Sequence, residues 1–150
     1  MQYEIRRTGV DEFFSSPSCA AMLEAYFEEC GRNPALGEPH PKVEMYRELE
    51  RQGVLIGLGV YAGAELVGYA SVYVTPSPRY DAPVGVLEGI FVDPEHRRGG
   101  AGGPLLRACR EAAKAAGAAG LYVTAPEGGK LQRLARALKW EKTNECYWLP

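Results

Sequence analysis

The sequence predicts an α/β fold: one mixed sheet flanked by helices, forming a single domain over residues 1–150. Three observations lead there. The length of 150 residues suits one core rather than two, and apolar and charged shares of 46% and 24% are ordinary for a globular chain. Segments alternating with a period of two are interspersed with segments at three- and four-residue spacing. A glycine-rich turn, Gly99-Gly100-Ala101-Gly102-Gly103, joins an apolar run to a long helical pattern.

Taken in order, Tyr3 to Arg7 reads as a short strand. Ser16-Pro17 then gives a helix start, with Ser as N-cap and Pro at the first helical position. Cys19, Met22, Leu23, Tyr26, Phe27 and Cys30 form the apolar stripe of that helix, which ends near Gly31. Residues 33–41 hold three prolines and a glycine and read as a loop. A second helix is predicted from about Lys42 to Gln52, stopped by Gly53. Val54 to Tyr61 and Glu65 to Thr75 are strands joined by the tight turn Ala62-Gly63-Ala64. In the second of them Leu66, Ala70, Val72 and Val74 share one face, and Val67, Tyr69, Ser71 and Tyr73 the other. Val84 to Val92 is mostly apolar, as a central strand is. A long helix runs from Gly102 to about Ala116, with Leu105, Cys109, Ala112, Ala113 and Ala116 on its buried stripe. Leu121 to Thr124 is a strand, Gly129 to Leu138 a helix, and Cys146 to Leu149 a closing strand.

Charge and targeting signals narrow the function. The net charge is −2, but residues 1–95 carry −8 and residues 96–150 carry +6. That asymmetry suits a protein holding an anion at one end and a cation at the other, although helices drawing different solubilising charges would give it too. It does not suggest a nucleic-acid partner. Met1 to Arg7 lacks the apolar stretch of an export signal, and the apolar segment Val54 to Ala64 is too short to span a bilayer, so a cytoplasmic location with no membrane partner is expected. Cys19, Cys30, Cys109 and Cys146 show no CxxC spacing and only His40 and His96 accompany them, so neither a disulfide framework nor a metal site is expected.

The sharpest feature is the stretch from Val92 to Gly103, where an apolar strand runs through a basic, glycine-rich turn into a helix. Such a turn aims backbone amides at one spot and the helix N-terminus adds partial positive charge, a combination that binds phosphate or pyrophosphate. Arg97 or Arg98 can add charge-assisted hydrogen bonds. There is no GxxxxGK(S/T) and no GxGxxG between an early strand and helix, which sets aside a P-loop and a dinucleotide site. The plain alternative is a flexible connector.

Arg97-x-x-Gly100-x-Gly102 resembles the (R/Q)xxGx(G/A) signature of the GCN5-related N-acetyltransferase (GNAT) superfamily. The flanking Val92-Asp93-Pro94-Glu95-His96 and Leu105-Leu106 resemble the family's usual context, and the element order is similar from about Tyr3 to Leu149. The resemblance implies a central, mostly antiparallel sheet of about six or seven strands, splayed between its fourth and fifth strands and flanked by about four helices. It implies acetyl-CoA as cosubstrate and no metal. Residues Arg97, Arg98, Gly99, Gly100, Ala101, Gly102 and Gly103 would hold the coenzyme pyrophosphate, and Ile90, Phe91 and Val92 would pair with the pantetheine arm. Leu87 to Val92 is also similar to the corresponding strand of aminoglycoside 6′-N-acetyltransferases.

An amine attacks a thioester only when neutral, so a base must take its proton. Glu88 lies on the central strand among Val86, Leu87, Gly89, Ile90 and Phe91, where desolvation would strengthen its basicity and suit it as the catalytic residue. Gly89 beside it can mark a β-bulge. Glu88 could instead hold the acceptor ammonium, or be a structural carboxylate paired with an arginine or backbone amides. The family's usual acidic tyrosine, in a pattern resembling LYxxxGF, falls on Ala135, with Lys139 and Trp140 at the glycine and phenylalanine positions. The general acid is therefore unassigned, with Tyr122, Tyr147 and water as candidates. Glu24, Glu28, Glu29, Glu38, Glu44 and Glu48, with Tyr26 and Tyr46, suggest a small cationic acceptor: a polyamine, an amino sugar or an amino acid. The expected activity is direct acetyl transfer to a primary amine in a ternary complex. Other readings are a coenzyme-binding module that has lost its chemistry, a protein-lysine or N-terminal acetyltransferase, and an interaction domain using the basic residues Lys130, Arg133, Arg136 and Lys139. The partner is expected to be a small amine, and a homodimer is compatible with the sequence.

Overall fold

In the computed structural model, which describes residues 2–30 and 32–150, the chain runs through β1 Glu4–Arg7, α1 Val10–Ser15, α2 Cys19–Cys30, a 3-10 turn at Pro34–Leu36, α3 Val43–Arg51, β2 Leu55–Ala62 and β3 Glu65–Thr75. It continues through β4 Val84–Val92, α4 Pro94–Arg97, α5 Gly102–Ala115, β5 Tyr122–Val123 and α6 Lys130–Ala137. The strands form one sheet in sequence order, antiparallel from β1 to β4 and parallel between β4 and β5. This is the expected mixed sheet flanked by helices, with β3 and β4 over the anticipated residues. The expected helix end at Gly31 lies outside the described residues.

Each face of the sheet has its own core. On one face Leu105, Cys109 and Ala113 of α5 are buried against Leu58, Val60, Val72 and Leu87. On the other, Phe13 of α1 and Cys19 and Met22 of α2 pack on Tyr61, Leu66 and Phe91. Leu66 and Val67 sit on faces opposite to those that strict alternation assigns. The β2–β3 register passes from Val60↔Gly68 to Tyr61↔Leu66, which leaves Val67 without a partner. An extra residue shifts the side-chain phase by one, so Leu66 joins Phe13 while Val67 joins Val60.

Three expectations need correction. Among the described residues the sheet has five strands rather than six or seven, because Cys146–Leu149 forms none: residues 140–150 have no regular structure, and Tyr147 and Leu149 are 81% and 91% exposed. A β-prone segment becomes a strand only against a partner, and the edge strand β5 is two residues long. Ser16 does not open a helix. It closes the unanticipated α1, its amide donating to the Phe13 carbonyl. The Asp93-Pro94-Glu95 stretch is the start of α4, with Asp93 accepting from the Glu95 amide and Pro94 in the first turn. Among the described residues no helix is long and apolar enough to cross a membrane.

Candidate active site

A second bulge builds the centre of the site. The β3–β4 register passes from Ser71↔Gly89 to Val72↔Leu87, so Glu88 has no partner on β3. As at Val67, the phase slips. Leu87 faces the α5 core, while Glu88 and Phe91 face the α1–α2 side. Gly89 allows α2 to come close, since a Cβ there would lie 3.2 Å from the Tyr26 hydroxyl. Ser71 Oγ, across the ladder, donates to Glu88 Oε2.

Glu88 differs from expectation in one respect. It is exposed, opening into cavities on both sides rather than desolvated within the sheet. A bulged residue is pushed out of the ladder, so the apolar neighbours in sequence do not enclose it. Its charge is felt by the surrounding phenols. Tyr26, Tyr46, Tyr69 and Tyr73 are all raised from their ordinary value, first by burial and then by nearby acidic or phenolic groups that include Glu88. Tyr46 is pushed up to about 12. These phenols therefore keep their protons at neutral pH and act as hydrogen-bond donors.

Two cavities meet at this carboxylate. The first, of about 160 Å³, lies between the sheet and helices α1, α2 and α3. Its walls are mainly aromatic, including Phe13, Phe14, Phe27 and Tyr46, and among the described residues Glu88 is the only charged side chain that lines it. The second, of about 340 Å³, runs along β4 from Glu88 past Ile90, Phe91 and Val92 to Gly102 and Gly103. It exists because β5 pairs with β4 only at Val86↔Tyr122 and Leu87↔Val123, so the two strands part beyond Leu87. Tyr26, Glu88, Gly89, Ile90 and Phe91 line both cavities.

The glycine turn divides into residues that face the groove and residues that support it. Gly102 and Gly103 open α5, and their first-turn amides have no helical acceptor. Gly99 and Gly100 use their amides to close the turn on the His96 and Arg97 carbonyls. Gly100 has a φ of 81°, which favours glycine, and a Cβ on Gly99 would lie 2.4 Å from the Tyr3 hydroxyl. Ala101 is buried in the α5 core, and Arg98 is exposed and does not line the groove. His96 packs edge-on against Tyr3 rather than facing the groove.

Arg97 is held by the protein itself. Its Nε donates to the Val92 carbonyl at 2.7 Å, and Nη1 and Nη2 donate to the two Glu29 oxygens at 2.6 and 2.5 Å. Lys130 Nζ reaches Glu29 Oε1 at 2.8 Å, so one carboxylate ties α2 to both α4 and α6 at the groove mouth. Sequence reading placed Glu29 among acceptor-binding acids and could not foresee a partner 68 positions away. The bidentate bond from Arg97, more than Lys130, holds the Glu29 carboxyl below its ordinary value of 4.5. A depressed carboxyl contributes stability that is present above the unfolded-state value and is lost as pH falls through the folded one. The pair is about a third exposed, so its contribution is about 1 kcal/mol or less. Glu29→Gln should lower Tm by up to about 4 °C at pH 7, and the difference from the parent should narrow steadily as the pH is lowered below 4.5, as a series of thermal melts from pH 7 downward would read.

The remaining acids of the expected acceptor region do not reach the aromatic cavity. Glu38 pairs with Arg32, Glu44 with Arg47 and Glu48 with Arg51, while Glu24 and Glu28 are exposed away from both cavities. Tyr122 and Tyr147 line neither cavity, and Ala135 offers no hydroxyl. Tyr26, which the sequence places in the acceptor region, lines both cavities, a position that only the fold gives it. Burial pushes the Cys109 thiol up to about 12 and also raises Cys30 in the groove, which disfavours either as an acyl-accepting thiolate.

Comparison with known proteins agrees with this architecture. Among curated proteins none matches the chain. A GCN5-related N-acetyltransferase from Ralstonia eutropha JMP134 superposes with a TM-score of 0.77 at 22% identity, covering 99% of both chains. A ribosomal-protein-alanine N-acetyltransferase from Brucella melitensis biovar Abortus 2308 gives 0.76 at 18% identity, covering 100% of this chain and 99% of that one. The aminoglycoside enzyme AAC(6′)-Iy, in complex with the bisubstrate analog CoA-S-monomethyl-acetylneamine, gives 0.67 at 22% identity over 100% and 98%. At these identities the likeness is one of fold. The family model of the acetyltransferase (GNAT) family matches residues 20–140. That span contains β4, the glycine turn, α5 and α6, the elements that build the groove, and by it the chain belongs to the GNAT acetyltransferase family.

Proposed function

We propose that the protein transfers the acetyl group of acetyl-CoA to the primary amine of a small cationic acceptor, directly and within a ternary complex. The observation that carries this reading is the bulged Glu88, a single carboxylate at the junction of an acceptor-sized cavity and a long groove. The groove fits a coenzyme: the β4 edge is unpaired beyond Leu87 where an extended arm can lie, and the amides of Gly102 and Gly103 wait at the α5 N-terminus for an anion. Acetyl-CoA would supply the activated acetyl thioester. Glu88 takes the proton of the acceptor amine, held in place by the Ser71 hydroxyl. Tyr26, kept protonated by burial, donates a hydrogen bond on the groove side and fills the part of the missing hydroxyl at Ala135.

Two measurements test the reading. Acetyl-CoA at about 100 times its Kd should stabilise the folded chain by about 2.7 kcal/mol, a rise in Tm of about 5–10 °C. The absence of a shift at saturation would remove the coenzyme from the proposal. Thiol release in the presence of a primary amine, followed with a thiol-reactive dye, separates a working transferase from a module that only binds coenzyme.

A further inference from the structure

The aromatic cavity constrains what the acceptor can be. Its volume of about 160 Å³ is close to that of an apolar protein cavity that holds one benzene molecule, and well below the roughly 300–1,000 Å³ of pockets for drug-sized ligands. Phe13 stacks on Tyr69 at 4.0 Å between ring centroids, and Phe14 lies 5.9 Å from Tyr46, so the walls are ring faces and edges. The polar groups that reach it are Glu88, Ser71 and the tyrosine hydroxyls. The other acids that suggested a cationic acceptor are paired with arginines or exposed elsewhere.

Resting on the acetyltransferase reading above, we infer that the acceptor is an arylalkylamine: one primary ammonium at Glu88 and one apolar ring in the cavity of Phe13, Phe14, Phe27 and Tyr46. Each alternative class meets a specific penalty there. The second ammonium of a polyamine would find no carboxylate besides Glu88 among the residues that line the cavity. Away from Ser71, Glu88 and the phenols, the hydroxyls of an amino sugar would face ring carbons and aliphatic side chains and lose their hydrogen bonds. The carboxylate of a free amino acid would enter beside Glu88, where like charges repel. A ring-bearing monoamine meets none of these, and its ammonium gains from both the carboxylate and the aromatic faces.

The test compares 2-phenylethylamine, spermidine, glucosamine and alanine as acceptors, reading thiol release and the mass of the acetylated product. The kcat/KM for 2-phenylethylamine should exceed each of the others by at least about 100-fold, as expected where rivals leave buried polar groups unpaired. A preference for spermidine, glucosamine or alanine would overturn the assignment of acceptor class and leave acetyl transfer standing. If no amine is acetylated, the activity fails, and binding still decides the cavity. Calorimetric titration of 2-phenylethylamine into the coenzyme A-saturated protein should show a single site, weakened at least about tenfold in Glu88→Gln, as for loss of an ion-paired hydrogen bond. No binding, or binding indifferent to Glu88, would overturn the inference.

Discussion

Glu88→Gln should lower kcat by roughly 10²–10⁴-fold at neutral pH, the range for a general base, with acetyl-CoA affinity unchanged. The substitution is close to isosteric, Gln retains an oxygen for the Ser71 hydroxyl, and the residue is bulged and exposed, so the fold should hold. The deficit should shrink as pH rises. A primary alkylamine titrates at about 10, so its neutral fraction grows about tenfold per pH unit below that point and the need for a protein base falls away. A rise in KM with kcat preserved would assign Glu88 to holding the ammonium instead. A fall in Tm with normal turnover of the folded enzyme would make it structural. Steady-state kinetics from pH 6 to 10, with parallel melts, tell these apart, and unchanged kinetics at neutral pH would remove Glu88 from the mechanism.

Gly102→Val should abolish coenzyme binding while leaving the protein folded. A Cβ built on Gly102 finds no heavy atom within 4 Å, and its φ is not in the left-handed region, so the fold accommodates the side chain. The same open space is the groove that Gly102 lines, and valine methyl groups there would stand in front of the first-turn amides of α5. Losing two hydrogen bonds to a charged group, at about 1.5–3 kcal/mol each, predicts at least about a 100-fold rise in Kd. Gly100→Val is a poorer probe, because at a φ of 81° any side chain strains the turn and a loss of binding could come from misfolding. Calorimetric titration with acetyl-CoA, alongside a melt of each variant, measures the difference. Normal binding by Gly102→Val would place the anion site elsewhere.

The local pattern was sufficient for β3, β4 and α5, whose boundaries the structure reproduces within a residue. The buried stripe of α5, the alternation of β3 from Tyr69 onward and the nearly unbroken apolar run of β4 are all written in the chain itself. Short elements were less legible. Val10, Phe13 and Phe14 show helical spacing, but six residues give too few turns to stand out, and α1 depends on Gly9 accepting from the Phe13 amide and on Glu50 receiving the Val10 amide. At α4, Asp93 and Pro94 did carry a start signal that went unread. The reverse error at Cys146–Leu149 has the same origin, since strand propensity without a partner edge does not make a strand.

The sequence by itself determined the mixed fold, the family, and the strand-turn-helix segment that carries Glu88 and the glycines, because those follow from the order of residues along one continuous stretch. Only the tertiary structure decided what each residue faces. It took Arg97 for a bond to Glu29, turned the amides of Gly99 and Gly100 inward, set Tyr26 between two cavities, and paired most of the acids that had suggested a cationic acceptor with basic side chains. A bulge shifts side-chain phase without leaving an unambiguous mark in composition, and an ion pair joins groups far apart in the chain. Neither is encoded in local spacing, and together they set the chemistry available at Glu88.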